Sequence, residues 1–503
     1  MKSASKNMMM SVIARIVSLV TGLIVQRYLL LTFGSTLNGL TTSINQAMAY
    51  LVLLEAGLGT ASVQALYDPL ADGDWGRVSG ILTATGREYK KISAIFFAFL
   101  IGTSVLIPLA VNGEVEFVTA GLLTLITGGS YIVSYVMGGK YKALLDADRR
   151  IYILYILDSI NVIVSCVFRI IALNAGCGIV LVQLINLACI AIKNIGYVLY
   201  VKIRYKKVDY KHIPDLKAIG KRWNVLIHSI AGIIVNNTDV IILTLFGSLK
   251  IVSVYGVYNM VFGQLSSVVQ TTFMQAPQSS FGRLFHSDRD KFKTAYEIYE
   301  FILSLILFVV CSIALVMILP FIKLYTKGVS DITYIDIILP ILFTLILLMN
   351  QIRIPSLITI NVAGHFKETQ KGAIIEAIIN ITVSLLLFFL TDLGLYGLLI
   401  GTVCSYIFRT TDVIVYAHKH LVESSIFVAI RNYVVDLMAM LLIYVIFNVM
   451  MPVHADSIFV WVVKAVEISI AVIFIYGIFN FLFNKEKVVK VHSIIKMKSR
   501  IKR

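Results

Sequence analysis

The sequence predicts an all-α polytopic membrane protein of fourteen transmembrane helices, built as two parallel-related six-helix lobes followed by two further helices. Three observations carry that prediction. The 503-residue chain is 58% hydrophobic and only 14% charged, with a mean hydropathy of +0.87, whereas soluble domains carry about 25% charged residues. Apolar runs of about 20 residues, the length that crosses a bilayer, recur from end to end. Lys and Arg fall almost wholly on alternate connections. Outside the spans, only Lys250, Lys323 and Lys327 break that pattern, so the net charge of +16 reads as an orientation signal with both termini cytoplasmic. No nucleic-acid partner is implied. Disulfide and metal readings fail for Cys166, Cys177, Cys189, Cys311 and Cys404, which are scattered through or beside apolar spans without paired spacing.

The spans are placed near 8–32, 37–63, 91–111, 117–138, 151–173, 178–201, 223–246, 251–275, 299–319, 334–354, 371–391, 395–417, 427–450 and 457–483. Lys2 and Lys6 precede an apolar run longer than a signal-peptide core, with no small-residue cleavage site, so the first span is expected to stay. It carries Arg15 and Arg27. A cation near the centre of a membrane helix costs about 2.5–3.5 kcal/mol, which favours a watery cavity or a partner around it. Ser11, Arg15, Ser18, Gly22 and Gln26 fall on one helical side. They read as a cationic wall awaiting an anion, with snorkelling of both arginines to the surface as the bland alternative.

An internal repeat organises the rest. Phe33-Gly34-Ser35 and Asp72-Gly73-Asp74 are echoed by Phe246-Gly247-Ser248 and Asp288-Arg289-Asp290, at offsets of 213 and 216 residues. The stretch Ala147 to Asn161 is likewise echoed by Phe366 to Asn380. Spans 7–12 therefore repeat spans 1–6 in the same orientation, an arrangement common among transporters. The organisation expected is a lobe over 1–201, a basic cytoplasmic linker over 202–222, a second lobe over 223–420, helices 13 and 14 over 421–483, and a basic amphipathic tail over 484–503 lying in the headgroup layer.

Polar residues recur on the first two helices of both halves: Asn38, Thr41, Asn45 and Glu55 on span 2, His228, Asn236 and Asp239 on span 7, and Asn259, Gly263, Ser267 and Gln270 on span 8. Helix glue is the alternative for the neutral ones. Gln26, Asn45, Asn236, Asn259 and Gln270 are the candidate cavity lining. Arg15, Arg27, Arg169 and Arg353 are the candidate anion ligands, because a guanidinium makes paired, charge-assisted bonds to phosphate or carboxylate oxygens. Glu55, Asp239, Asp158 and Glu376 are candidates for carrying a coupling proton or sodium ion. Lys464 with Glu467, and Arg409 with Asp412, read as local ion pairs at helical spacing. Three Asp-X-Asp patterns, at 72–74, 146–148 and 288–290, lie in short loops with no soluble domain to build a nucleotide pocket. Neither a Walker motif nor a zinc spacing occurs, so no enzyme, cofactor or metal is expected.

The runs Leu53-Leu54-Glu55-Ala56-Gly57-Leu58-Gly59-Thr60-Ala61 and Leu66-Tyr67-Asp68-Pro69-Leu70 resemble the second span and following loop of bacterial polysaccharide transporters of the Wzx type, relatives of MurJ and the MATE exporters. Asn237-Thr238-Asp239, Gln275-Ala276-Pro277 and Gly364-His365-Phe366-Lys367-Glu368-Thr369 add to the likeness. The resemblance implies a MATE/MurJ-like fold in the bacterial cytoplasmic membrane. It further implies a flippase for an undecaprenyl-diphosphate-linked oligosaccharide, whose diphosphate Arg15, Arg27, Arg169 and Arg353 are expected to hold, with a polysaccharide polymerase and glycosyltransferases as partners. Span 8 lacks the basic residue expected in the MurJ branch. An ion-coupled exporter of organic solutes and a glycosyltransferase scaffold are the alternatives.

Overall fold

A computed structural model describes residues 2–52, 55, 57–219 and 237–490. The described residues form helices and connecting turns without a strand. Among the described residues eleven helices are long and apolar enough to cross a membrane, and a shorter apolar helix spans Asn237–Phe246. The chain is a multi-pass membrane protein.

The chain divides into two compact units, residues 1–254 with 328–332, and residues 255–327 with 333–503. The first holds α1 (Lys2–Val52), α2 (Leu58–Asp72), α3 (Trp75–Ala110), α4 (Phe117–Val133), α5 (Gly139–Ala147), α6 (Tyr152–Asn174), α7 (Ile179–Arg204), α8 (Asn237–Phe246) and the start of α9 (Leu249–Val269). The rest of α9 belongs to the second unit, followed by α10 (Ala276–Ser287), α11 (Arg289–Tyr325), α12 (Ile338–Ile352), α13 (Ile354–Ala363), α14 (Phe366–Leu390), α15 (Leu395–Ala417), α16 (Ile426–Tyr444) and α17 (Ile458–Phe483).

Spans 1 and 2 of the sequence reading meet at Gly34, where α1 breaks into two helical arms; the end of span 2, from residue 53 onward, lies beyond α1. Gly34 adopts φ 78°, ψ −179°, a region that L side chains avoid. The backbone N–H and hydroxyl of Ser35, freed by the bend, donate to Asp331 at 2.9 and 2.7 Å. At the repeat-equivalent position Gly247, between α8 and α9, a Cβ would lie 2.8 Å from the Leu243 carbonyl oxygen. The same tripeptide therefore marks a helix break in both halves. The long helices that follow also match: Asp74 accepts from the Arg77 N–H to cap α3, and Asp288 accepts from the Lys291 N–H to cap α11. Each ends near a proline, Pro108 and Pro320.

These caps give two of the Asp-X-Asp patterns a structural role. In the third, Asp148 pairs with Arg150 at 2.7 Å and accepts from the Tyr205 hydroxyl. The basic stretch after α7 is no loose linker over its described part. Tyr205, Val208 and Ile219 are buried in the core formed with α2, α3 and α5, and the N–H groups of Asp209 and Asp215 donate to Ser79 Oγ and the Gly80 carbonyl. A division between compact units falls inside α9. Part of span 7, and the tail from residue 491 onward, lie outside the described residues.

Candidate functional site

The first unit has an open cavity of about 530 Å³ between α1, α4, α6 and α7, within the ~300–1,000 Å³ of small-molecule sites. Both arms of α1 contribute. Ser18, Thr21, Gly22 and Gln26 come from the first arm, and Asn38, Thr41, Thr42 and Asn45 from the second. Opposite them stand Thr127, Ser130, Tyr131 and Ser134 of α4 and the turn that follows it, Asn161, Ser165 and Arg169 of α6, and Gln183 and Asn186 of α7. Small residues let the helix backbones approach, while hydroxyls and amides supply donors and acceptors.

Much of this polarity is already committed to the protein. Thr21 donates back to the Val17 carbonyl, Thr41 and Thr42 donate to the Asn38 carbonyl, and the Ser165 hydroxyl donates to Asn186 Oδ1 at 3.0 Å. Asn38 donates to Ser253 Oγ at 2.6 Å, which ties the bent helix to α9. Two buried atoms of lining residues have no hydrogen-bond partner among the described residues, the Arg169 Nε–H and the Asn161 Oδ1. Buried polar groups are nearly always satisfied, so an orphaned donor and acceptor on residues of one cavity wall call for an explanation, and a ligand or water supplies one. Arg169 is the one charged residue in the described lining, and no described carboxylate lies within ion-pair distance of it.

The sequence reading located the neutral lining of α1 and the arginine of α6, and placed other charges differently. Gln26 and Asn45 line the cavity. Arg15 is exposed on the first arm and Arg27 half-buried, and neither lines the cavity. Arg353 belongs to an ion cluster in the second unit. Its Nη1 meets Glu376 at 2.8 Å and its Nη2 donates to Asn350 Oδ1 at 2.8 Å, while Glu376 also faces Arg409 at 3.7 Å. Arg409 in turn holds Asp412 at 2.6 Å. The Arg409–Asp412 pair expected locally is thus part of a larger network.

Glu55, beside the turn into α2, accepts from the Tyr89 hydroxyl at 2.9 Å. Asp158 pairs with Lys193 at 2.9 Å and accepts from Tyr197 at 2.9 Å, one helical turn from Asn161. Asp239 is 3% exposed at the start of α8. Asn259 is half-buried on α9, Gln270 is exposed just beyond it, and Asn236 lies outside the described residues.

Sequence reading missed the contributions of α4 and α7. Thr127, Ser130, Tyr131 and Ser134, and likewise Gln183 and Asn186, recur at three- and four-residue steps, a signal present but carried by neutral residues alone. It also missed a buried network in the second unit, where Glu300 accepts from His418 Nε2 at 3.0 Å, Tyr433 at 3.1 Å and Tyr296 at 3.3 Å. That network joins residues of three separate elements, so spacing within one helix does not reveal it.

Comparison with solved structures identifies the architecture. A lipid II flippase MurJ in an inward closed conformation aligns over 96% of this chain and 99% of its own, with a TM-score of 0.65 at 15% identity. The chain has the MurJ and MATE fold. An inward-facing multidrug resistance MATE family transporter of the MOP superfamily aligns over 86% of this chain and 98% of its own, with a TM-score of 0.60 at 13% identity. MATE in the bent conformation aligns over 88% and 96%, with a TM-score of 0.51 at 14% identity. No protein-family model and no curated protein sequence matches the chain. Within the MurJ and MATE fold, the cavity described above lies wholly inside the N-terminal unit.

Proposed function

We propose that the chain is a flippase that moves an undecaprenyl-diphosphate-linked oligosaccharide from the cytoplasmic to the outer leaflet by alternating access, for surface polysaccharide synthesis. The observation that carries this reading is the cavity among membrane-length helices, lined by hydroxyls, amides and one arginine with no described carboxylate beside it. Hydroxyls and amides suit sugar hydroxyls, which donate and accept alike. A guanidinium without a protein counter-ion suits an anionic group of the substrate. An exporter of organic cations would need acidic residues in such a cavity, and the described lining holds none.

In this reading the protein sits in the bacterial cytoplasmic membrane with both termini inside, and a polysaccharide polymerase and glycosyltransferases work beside it. A proton or sodium gradient drives the cycle. Glu55 and Asp239 are the candidates to carry the coupling ion. Asp158 and Glu376 have lysine or arginine counter-ions in the resting structure, so ion uptake there would require those pairs to open.

The test is deletion in the native host with analysis of lipid-linked oligosaccharides on each membrane face. Undecaprenyl-linked repeats accumulating on the cytoplasmic face, and clearing when the wild-type chain is restored, support the flippase. Unchanged lipid pools and surface glycan, in a host with no second flippase, overturn it.

A further inference from the structure

The cavity in the first unit carries more information than its polarity. Asn161, Ser165 and Arg169 follow one another at steps of four on α6 and all line it. The Asn161 and Arg169 backbones are therefore ~12 Å apart along the helix axis. Between them the wall is neutral and rich in amides, with Gln26, Asn45 and Gln183 presenting side chains to the space.

The charge balance is equally restrictive. Among the described residues one guanidinium lines the cavity, and its planar fork matches one carboxylate through two parallel N–H···O bonds. A diphosphate brings more than one negative charge into a low-dielectric site, and a single arginine leaves that excess uncompensated. Arg169 also lies five residues before the end of α6 at Asn174, beyond which the sequence places an outside loop. It thus stands at the end of the cavity away from the cytoplasmic connection before α6.

We infer that this cavity is a binding site for a sugar carboxylate: the glycan carried by the protein contains an acidic sugar whose carboxylate accepts hydrogen bonds from the Arg169 guanidinium while neighbouring sugar hydroxyls donate to Asn161 Oδ1. The inference rests on the flippase reading only in taking the ligand to be part of a glycan. The diphosphate of the carrier lipid is bound elsewhere.

The test uses the full chain in detergent and three soluble probes: a glucuronosyl-glucose disaccharide, its methyl ester, and cellobiose. Calorimetry should give the acid at least tenfold tighter binding than the ester or cellobiose. Arg169→Gln should remove that difference while leaving the weak cellobiose affinity in place, and Arg169→Lys should restore part of it. The methyl ester removes the charge from the ligand side, so the comparison holds even if a variant folds poorly. Equal binding of acid and ester by the wild-type chain overturns the proposal, as does Arg169-dependent binding of inorganic diphosphate in preference to the acid.

The two readings fail separately. A cytoplasmic lipid-linked glycan made only of neutral sugars would end the carboxylate proposal and keep the flippase. Arg169-dependent binding of the acid in a host whose lipid pools are unaffected by deletion would do the reverse.

Discussion

Glu376 holds two cations in the second unit, and its replacement separates a structural arginine from a substrate ligand. The carboxylate meets Arg353 at 2.8 Å and Arg409 at 3.7 Å, and the side chains of Arg353 and Glu376 are each 11% exposed. At an effective dielectric constant near 20, the shorter contact has a gross attraction of ~6 kcal/mol, largely offset by the desolvation of both ions. Removing one partner leaves a buried charge uncompensated, and such losses run to ~3–5 kcal/mol. The two ends are unequal. Arg353→Leu leaves Glu376 with Arg409, whereas Glu376→Leu leaves Arg353 with only the Asn350 amide and the Tyr406 ring, 5.0 Å away. Arg409 keeps Asp412 in either case.

Glu376→Leu should therefore destabilise the protein by ~3–5 kcal/mol and Arg353→Leu by about half as much. The double variant should be no worse than Glu376→Leu, with a favourable coupling in the cycle. Chemical unfolding in detergent, followed by tryptophan fluorescence, measures all four corners. Glu376→Leu within 1 kcal/mol of wild type would refute the assignment, as would Arg353→Leu abolishing lipid transport at unchanged stability.

Gly39→Ala should be among the most damaging substitutions in the first unit, because a Cβ there would lie 1.8 Å from the Leu249 carbonyl oxygen, backbone against backbone; folded yield in detergent should collapse, while Gly22→Ala, with nothing within 4 Å, should be tolerated. Asp74→Ala and Asp288→Ala should each cost ~1 kcal/mol by removing an N-cap, seen as additive falls in unfolding free energy. At the bend in α1, burial pushes the Asp331 carboxyl upward, but the bonds donated by Ser35 more than offset this and hold it below the usual carboxylate range. Its stabilising contribution is accordingly complete above the unfolded pKa of ~3.9 and lost as pH falls through the lower folded value. The difference in melting temperature between wild type and Asp331→Asn should be largest near neutral pH and vanish in acid.

The fold was legible because bilayer length and charge alternation act on every span at once. The repeat was legible because glycine at 34 and 247 and aspartate at 74 and 288 perform the same local task in each copy. Other features depend on partners distant in sequence. At Phe33-Gly34-Ser35 the break between two spans is visible in the sequence but its partner is not: Asp331, nearly 300 residues away, satisfies the groups the break releases. Arg15 shares a helical side with Gln26, but the cavity lining on α1 begins only at Ser18. Periodicity gives the side of a helix and not how far along it the neighbouring helices pack. Arg353 and Arg169 are indistinguishable as intramembrane arginines in a sequence. What separates them is whether a carboxylate from another helix arrives, as Glu376 does for the first.

The basic segment after α7 also bears on how the molecule meets proteases. Lys206, Lys207, Lys211 and Lys217 make this stretch dense in trypsin sites, and a free tether of that composition would be cut first. Here its backbone is stitched to α3 through Ser79 and Gly80, and Tyr205, Val208 and Ile219 are sunk in the core. A protease needs extended chain, so cleavage must await local release of this strap, and its rate then reports the strength of the seal on α3. Any engineered separation of the two units has to leave residues 205–219 with the first, because a cut before them would expose part of its core.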